Sequence, residues 1–451
     1  MERNLTTGSV FKNIFYFSLP YLLSYFLQTL YGMADLFIIG RYGSVADITY
    51  VSIGSQVMHM LTVMIVGLAM GTTVTINRSV GANDSQGASR AIGNSAALFM
   101  VVSLAAAAVL LLLAENIAGV MSTPEEAFSG TVEYLRICFM GIPFITAYNI
   151  VSSVFRGLGD SKSPMYFIAI ACAANIGLDF FFMGVLNMGP AGAALGTTIS
   201  QSVSVIFALY VILKRDTGIN VKRHDFKPNG IVMGKILKVG VPIALQDGFI
   251  QIAFVVITII ANRRGLNDAA AVGIVEKVIG IFFLVPSSML SSVSALAAQN
   301  IGAGKPERAK LTLRYAILFA VGFGTVVSVI TQFYAPNVVS IFEDDPNVMR
   351  LGGQYLESYV WDCIFAGANF CFSGYFCALE RSEISFIHNI ISIVLVRIPA
   401  AYLLSAGFPG TLYPMGLASP LGSLLSTFIC VFAYAMLCRH GLTKNGGKYN
   451  G

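Results

Sequence analysis

Four polar residues of this 451-residue chain carry side chains that apolar surroundings make expensive. Asp35 lies in YGMADLFIIG, Asn175 and Asp179 in NIGLDFFF, and Thr197 in GTTISQ. A carboxylate in a bilayer interior is costly, so an acid embedded in an apolar run points to ion or substrate chemistry. Asn175 and Asp179 are four residues apart and share one helix face. Two carboxylates in a low-dielectric pocket cannot both ionise cheaply, so they share a proton or hold a cation between them. The Asn amide and the Thr hydroxyl are neutral hydrogen-bond partners for that pair. This is the chemistry of reversible ion uptake. The signatures of bond-breaking sites, HExxH and GxSxG, are missing, and without a P-loop there is no ATP-driven pump, so the chain reads as a non-enzyme. His59 and His388 lack metal-ligand spacing, and the seven cysteines form no CxxC, so they read as core residues. No metal or cofactor is expected.

The elements that must position these groups follow from composition. The chain is 56% hydrophobic and 11% charged, with a mean hydropathy of +0.74; soluble domains carry about 25% charged residues. Twelve apolar runs, from 14–39 to 412–437, each reach the roughly 20 residues that span a bilayer as a helix. They lack the alternation of a barrel strand, so an all-α integral membrane protein is expected. The N-terminal MERNLTTGSVFKN is too short for a cleaved leader, so the first span is expected to be retained. Most Lys and Arg fall on the side of the even-numbered loops, while the odd-numbered loops hold only Arg41, Arg136, Arg263, Arg264 and Arg350. That bias places both termini in the cytoplasm. The net charge of +5 is thus a topology signal, and nucleic acid is not expected as a partner.

The chain also repeats itself. SLPYLL at 18–23 matches GVPIAL at 240–245, RSVGANDSQGASR at 78–90 matches QNIGAGKPERAKL at 299–311, and FRGLGD at 155–160 falls on FCALER at 376–381. Two six-helix halves follow, 1–213 and 234–451, joined by a basic linker at 214–233. Six is even, so the repeat is parallel, an arrangement known in transporters that bind at the midplane between rocking halves. Pro20, Pro143, Pro242, Pro286 and Pro399 lie inside runs and mark bends.

Asp179 sits about 22 Å along the fifth run from Pro164, at 1.5 Å per residue. Asp35 near the end of the first run and Thr197 near the start of the sixth reach the same outer half, so the four groups are expected to converge. At the repeat offsets their counterparts are Ile257, Val396, Ala400 and Leu421, all apolar, which argues for a function confined to the first half. The second half keeps other embedded charges, namely Asp247, Glu276, Lys277, Glu357, Asp362 and Arg397, with Arg397 expected to pair with Asp362 or Glu276. Met and aromatic residues suit adaptable cation-binding walls. Tyr31, Met33, Gln56, Met60, Met64, Tyr148 and Asn149 are the candidates.

MADLFIIGRYG, RSVGANDSQGASRA, FRGLGDSKSP, GPAGAALGTTISQ and QNIGAGKPERAK, in that order of span and lobe from about residue 10 to 438, resemble the multidrug and toxic compound extrusion (MATE) family. The resemblance implies two six-helix lobes around a central cavity. It implies an alternating-access antiporter exporting organic cations and related drugs on an H+ or Na+ gradient. It further implies a multi-pass protein of a bacterial or archaeal cytoplasmic membrane, a monomer in lipid whose one ionic partner is the transported ion. Asp35, Asn175, Asp179 and Thr197 match the ion-coupling set of the DinF-like subgroup, and Pro20 matches its helix-1 hinge. NorM-type members put carboxylates in helices 7 and 10; here Ile250 stands at the first and the neighbourhood of Ala366 at the second, with Asp362 one turn earlier. That departure favours H+ over Na+. The alternatives are a lipid-linked precursor flippase or an exporter of one metabolite; the flippase would place several Arg in the cavity, yet only Arg397 and Lys277 lie deep in spans.

Overall fold

The computed structural model describes residues 4–214 and 219–439, and those residues hold helices and turns and no strand. Part of the expected linker, 215–218, and the expected cytoplasmic C-terminus beyond Arg439 lie outside the described residues.

By contacts the chain divides into two compact units, one built on Leu19–Gly240 and the other on Leu5–Ser18 together with Val241 onward. The seams fall inside two long helices. Helix α1 (Val10–Tyr42) contains Pro20, two residues past its seam, and α8 (Gly230–Asn262) contains Pro242, two residues past its own. Each proline removes one helical hydrogen bond where the helix changes packing partners.

The first unit continues with α2 (Val45–Gly81), α3 (Ser85–Val120), α4 (Glu125–Met140), α5 (Ile142–Gly157), α6 (Lys162–Asp179) and α7 (Gly189–Lys214). Ser44 and Asp47 form a reciprocal cap at the start of α2, with Ser44 N donating to Asp47 Oδ2 at 2.6 Å and Asp47 N to Ser44 Oγ at 3.2 Å. Asp160 starts α6 by accepting from the backbone of Lys162 and Ser163 at 2.9 and 3.1 Å. The core gathers Ile38 and Ile39 of α1, Val51 of α2, Ala114 of α3, Leu135 and Phe139 of α4, and Ala193 and Ala194 of α7. The segment before α8 docks on α3: Asn94 Nδ2 donates to Asp225 O at 3.0 Å, and Asn94 Oδ1 accepts from Asn229 N at 2.7 Å.

The second unit holds α9 (Leu266–Phe282), α10 (Leu284–Gly302), α11 (Pro306–Val339), α12 (Pro346–Tyr359), α13 (Asp362–Ala378), α14 (Ser382–Ser392), α15 (Ile398–Gly407), the short α16 (Tyr413–Gly416) and α17 (Ala418–Arg439). Its core packs Ile257 and Ala261 of α8 against Val275 and Ile279 of α9, Tyr355 and Tyr359 of α12, and Ala401 of α15. The N-terminal segment docks here as its counterpart does in the first unit. Leu5 N donates to Gln299 Oε1 at 2.9 Å, Lys305 Nζ to Thr6 O at 3.0 Å, and Arg308 Nη1 to Gly8 O at 3.0 Å.

The repeat is visible in the backbone. Asn83 and Gly304 hold φ of 56° and 67° in the turns before α3 and α11, and Gly159 and Glu380 hold 89° and 58° in the turns before α6 and α14. The two Gly-Ala loops are therefore helix-ending turns. Ten helices among the described residues are long and apolar enough to cross a membrane, and α4 with α5, bent by 44°, makes an eleventh. The expected run at 352–378 is shared between α12 and α13, which break at Val360–Trp361.

Candidate functional site

The first unit brings the four polar residues together. Asp35 points from α1 seven residues before its end, and is 3% exposed. Asn175 and Asp179, both 0% exposed, share a face of α6. The regular α-helix stops at Asp179, and Phe180–Val185 continue as a π-helix. Such wider turns are rare and gather at functional sites. Thr197, on α7, donates from Oγ1 to Asp35 Oδ2 at 3.5 Å, and Asp179 and Asn175 complete the polar neighbourhood of Asp35. The remaining atoms, Asp35 Oδ1, both Asp179 oxygens and both ends of the Asn175 amide, are buried without a well-aligned hydrogen bond. Among the described residues no ion pair reaches either acid. A buried pair of this kind is stable only when a proton or a cation joins it.

Gly196 shapes the site. A Cβ there would collide with Asp179 Oδ1, so the backbone of α7 approaches the carboxylate where only glycine fits. Sequence reasoning passed over this residue, although it immediately precedes Thr197 in ALGTTIS. Tyr31, one turn before Asp35, stands beside both acids. The other wall candidates scatter: Met33 and Gln56 are exposed, Met60 and Met64 half-buried, and Tyr148 and Asn149 buried within the unit. Asn149 spends its amide on Ile145 O of its own helix at 2.8 Å. Just past Pro20, the guanidinium of Arg156 lies 4.2 Å over the ring of Tyr21, and Ser24 Oγ donates to Pro20 O at 2.8 Å.

The second unit contains a different buried hub. Between α14 and α15 runs a second π-helical stretch, Ile393–Arg397. Arg397 donates from Nη2 to Tyr359 Oη at 2.6 Å and from Nε to Ser419 Oγ at 3.1 Å, with its guanidinium 5.0 Å from the Phe254 ring centre. Glu276 Oε2 accepts from Thr258 Oγ1 at 3.2 Å, while Glu276 Oε1 and both Asp362 oxygens are buried without such a partner. The expected ion pair of Arg397 with Asp362 or Glu276 is therefore not formed: a tyrosine and a serine hydroxyl take the guanidinium instead. Tyr359, Ser419 and Thr258 carried no sequence signal beyond their polarity in apolar runs.

The described residues show no group of three or more His, Cys, Asp or Glu able to hold a metal. The MatE family model matches the chain twice, at 20–181 and at 242–403, more than half of its length. The probable multidrug resistance protein YpnP of Bacillus subtilis is 28% identical over 404 residues, covering 89% of this chain and 90% of that one. The multidrug export protein MepA of Staphylococcus haemolyticus is 25% identical over 424 residues, covering 94% and 93%. A crystal structure of a MATE protein in complex with MaL6 superimposes with a TM-score of 0.90 over 98% of each chain at 23% identity, a likeness of fold.

With a doubled family match, a fold shared with solved MATE proteins and a helical, membrane-crossing body, the chain belongs to the MatE family of multi-pass membrane transporters.

Proposed function

We propose that this chain is a multidrug efflux antiporter that exports organic cations and related compounds in exchange for H+, with Asp35, Asn175, Asp179 and Thr197 as its ion-coupling site. The observation that carries the reading is the pair of fully buried carboxylates in the first unit whose neighbours are an amide and a hydroxyl and no base. Protonation neutralises the pair and lets it stay buried; deprotonation drives the site to open. Thr197 gives its hydrogen to Asp35, a neutral partner that ties α7 to the acid of α1. Pro20 is proposed as the hinge through which α1 responds, because its seam separates the stretch bearing Asp35 from the stretch docked in the second unit. The names of YpnP and MepA support drugs as substrates. Tyr31 and Met33 are proposed as part of the substrate wall nearest the acids.

Ethidium accumulation in cells expressing the chain tests the proposal. Lower dye than in empty cells is expected in sodium-free buffer, with the difference abolished by a protonophore. Export that requires sodium and survives the protonophore would replace H+ by Na+ in this scheme.

A further inference from the structure

The two buried hubs hold the same number of acids and differ in one charge. In the first unit, Asp35 and Asp179 have only neutral neighbours. In the second, Asp362, 1% exposed, and Glu276 share their surroundings with Arg397, 8% exposed. Arg397 projects from the helical stretch that is the counterpart of the one carrying Asn175 and Asp179, one residue past Val396, the counterpart of Asn175 at the repeat offset. Its hydrogen-bond partner Ser419 lies on α17, as Thr197, the partner of Asp35, lies on α7.

We propose that Arg397 is a tethered counter-ion, supplying permanently to the acids of the second unit the positive charge that the first unit must take up from solution. The contrast rests on the reading of the first unit as the ion-coupling site. Tyr359 and Ser419 fix the guanidinium, and the Phe254 face lies over it, so the charge is held in place by neutral groups. Because a low-dielectric interior screens charges weakly, the guanidinium need not touch Asp362 or Glu276 to stabilise them. Removing one member of such a set leaves uncompensated buried charge. The second unit then needs no exchangeable ion, and coupling is confined to the first.

The titratable groups around the guanidinium are Glu276, Asp362, Tyr355 and Tyr359, with Cys363 beside Asp362. Trp361, the single tryptophan of the chain, stands between Tyr359 and Asp362 and reports on this hub by its fluorescence. The test compares purified wild type with Arg397→Met, Arg397→Lys and the triple variant Glu276→Gln/Asp362→Asn/Arg397→Met. Thermal stability and Trp361 emission are followed at pH 5.5 and 8, in sodium or choline chloride. Wild type and Arg397→Lys are expected to show no cation response. Arg397→Met is expected to lose most of its folded yield at pH 8 in choline and to regain it with H+ or Na+, with a matching emission shift. The triple variant is expected to fold independently of either cation. Overturning results are an Arg397→Met protein as stable as wild type at pH 8 in choline, or a triple variant no better folded than Arg397→Met. These readouts do not involve transport. A cation response in Arg397→Met alongside normal export by Asp35→Asn removes the coupling reading of the first unit and leaves the tethered counter-ion standing.

Discussion

The two units share a plan and fill it with opposite charge. Each sets a π-helical stretch in its penultimate spanning helix, Phe180–Val185 in the first and Ile393–Arg397 in the second, and each places a charged residue at that stretch. In the first it is Asp179, closed in by Gly196 and facing Asp35. In the second it is Arg397, tied to Tyr359 and Ser419. Duplication thus supplies the scaffold and the irregular helix, while one side chain decides whether the buried acids need an ion from outside.

The largest effect is expected from erasing that difference. Asp35→Asn and Asp179→Asn each remove an ionisable oxygen, and ethidium accumulation in cells bearing either should equal that of empty cells at normal expression. Asn175→Lys gives the first unit its own tethered cation. It should abolish export as fully while leaving the protein folded, and normal export by this variant would break the comparison. Next comes Gly196→Ala, whose methyl meets Asp179 Oδ1. Overpacking of this kind costs about 1–3 kcal/mol, so a lower melting temperature and an export rate reduced by roughly tenfold are expected. Thr197→Val removes the 3.5 Å hydrogen bond to Asp35 and keeps the shape. A change of about 1 kcal/mol, several-fold in rate, is expected with a shifted pH profile of export. The smallest effect is expected from Arg156→Ala, which loses the contact over Tyr21 beside Pro20. A loss of about 0.5–2 kcal/mol in thermal stability is expected, with the pH profile unmoved.

The acid cluster was legible in the sequence because lipid makes every embedded polar group conspicuous and because the i, i+4 spacing of Asn175 and Asp179 fixes one helix face. The positions of the turns were legible too, since Gly159 and Gly304 mark left-handed backbone in repeated loops. Three features were not. A π-helical stretch leaves no periodic trace, so neither Phe180–Val185 nor Ile393–Arg397 stood out from the apolar run around it. The partners of Arg397 are chosen by three-dimensional packing, and a tyrosine from α12 reached it where a carboxylate was expected. The seams within α1 and α8 are also silent, because an apolar helix reads the same whichever neighbour covers it.

The most direct test of the central claim uses the purified protein in vesicles loaded with a pH indicator. Ethidium counterflow is measured under an imposed pH gradient or an imposed sodium gradient, for wild type and Asp179→Asn. The account predicts that the pH gradient alone drives ethidium, that the indicator records proton movement in step with it, and that Asp179→Asn shows neither. Proton-coupled ethidium movement that persists in Asp179→Asn, or movement driven only by sodium, would contradict it.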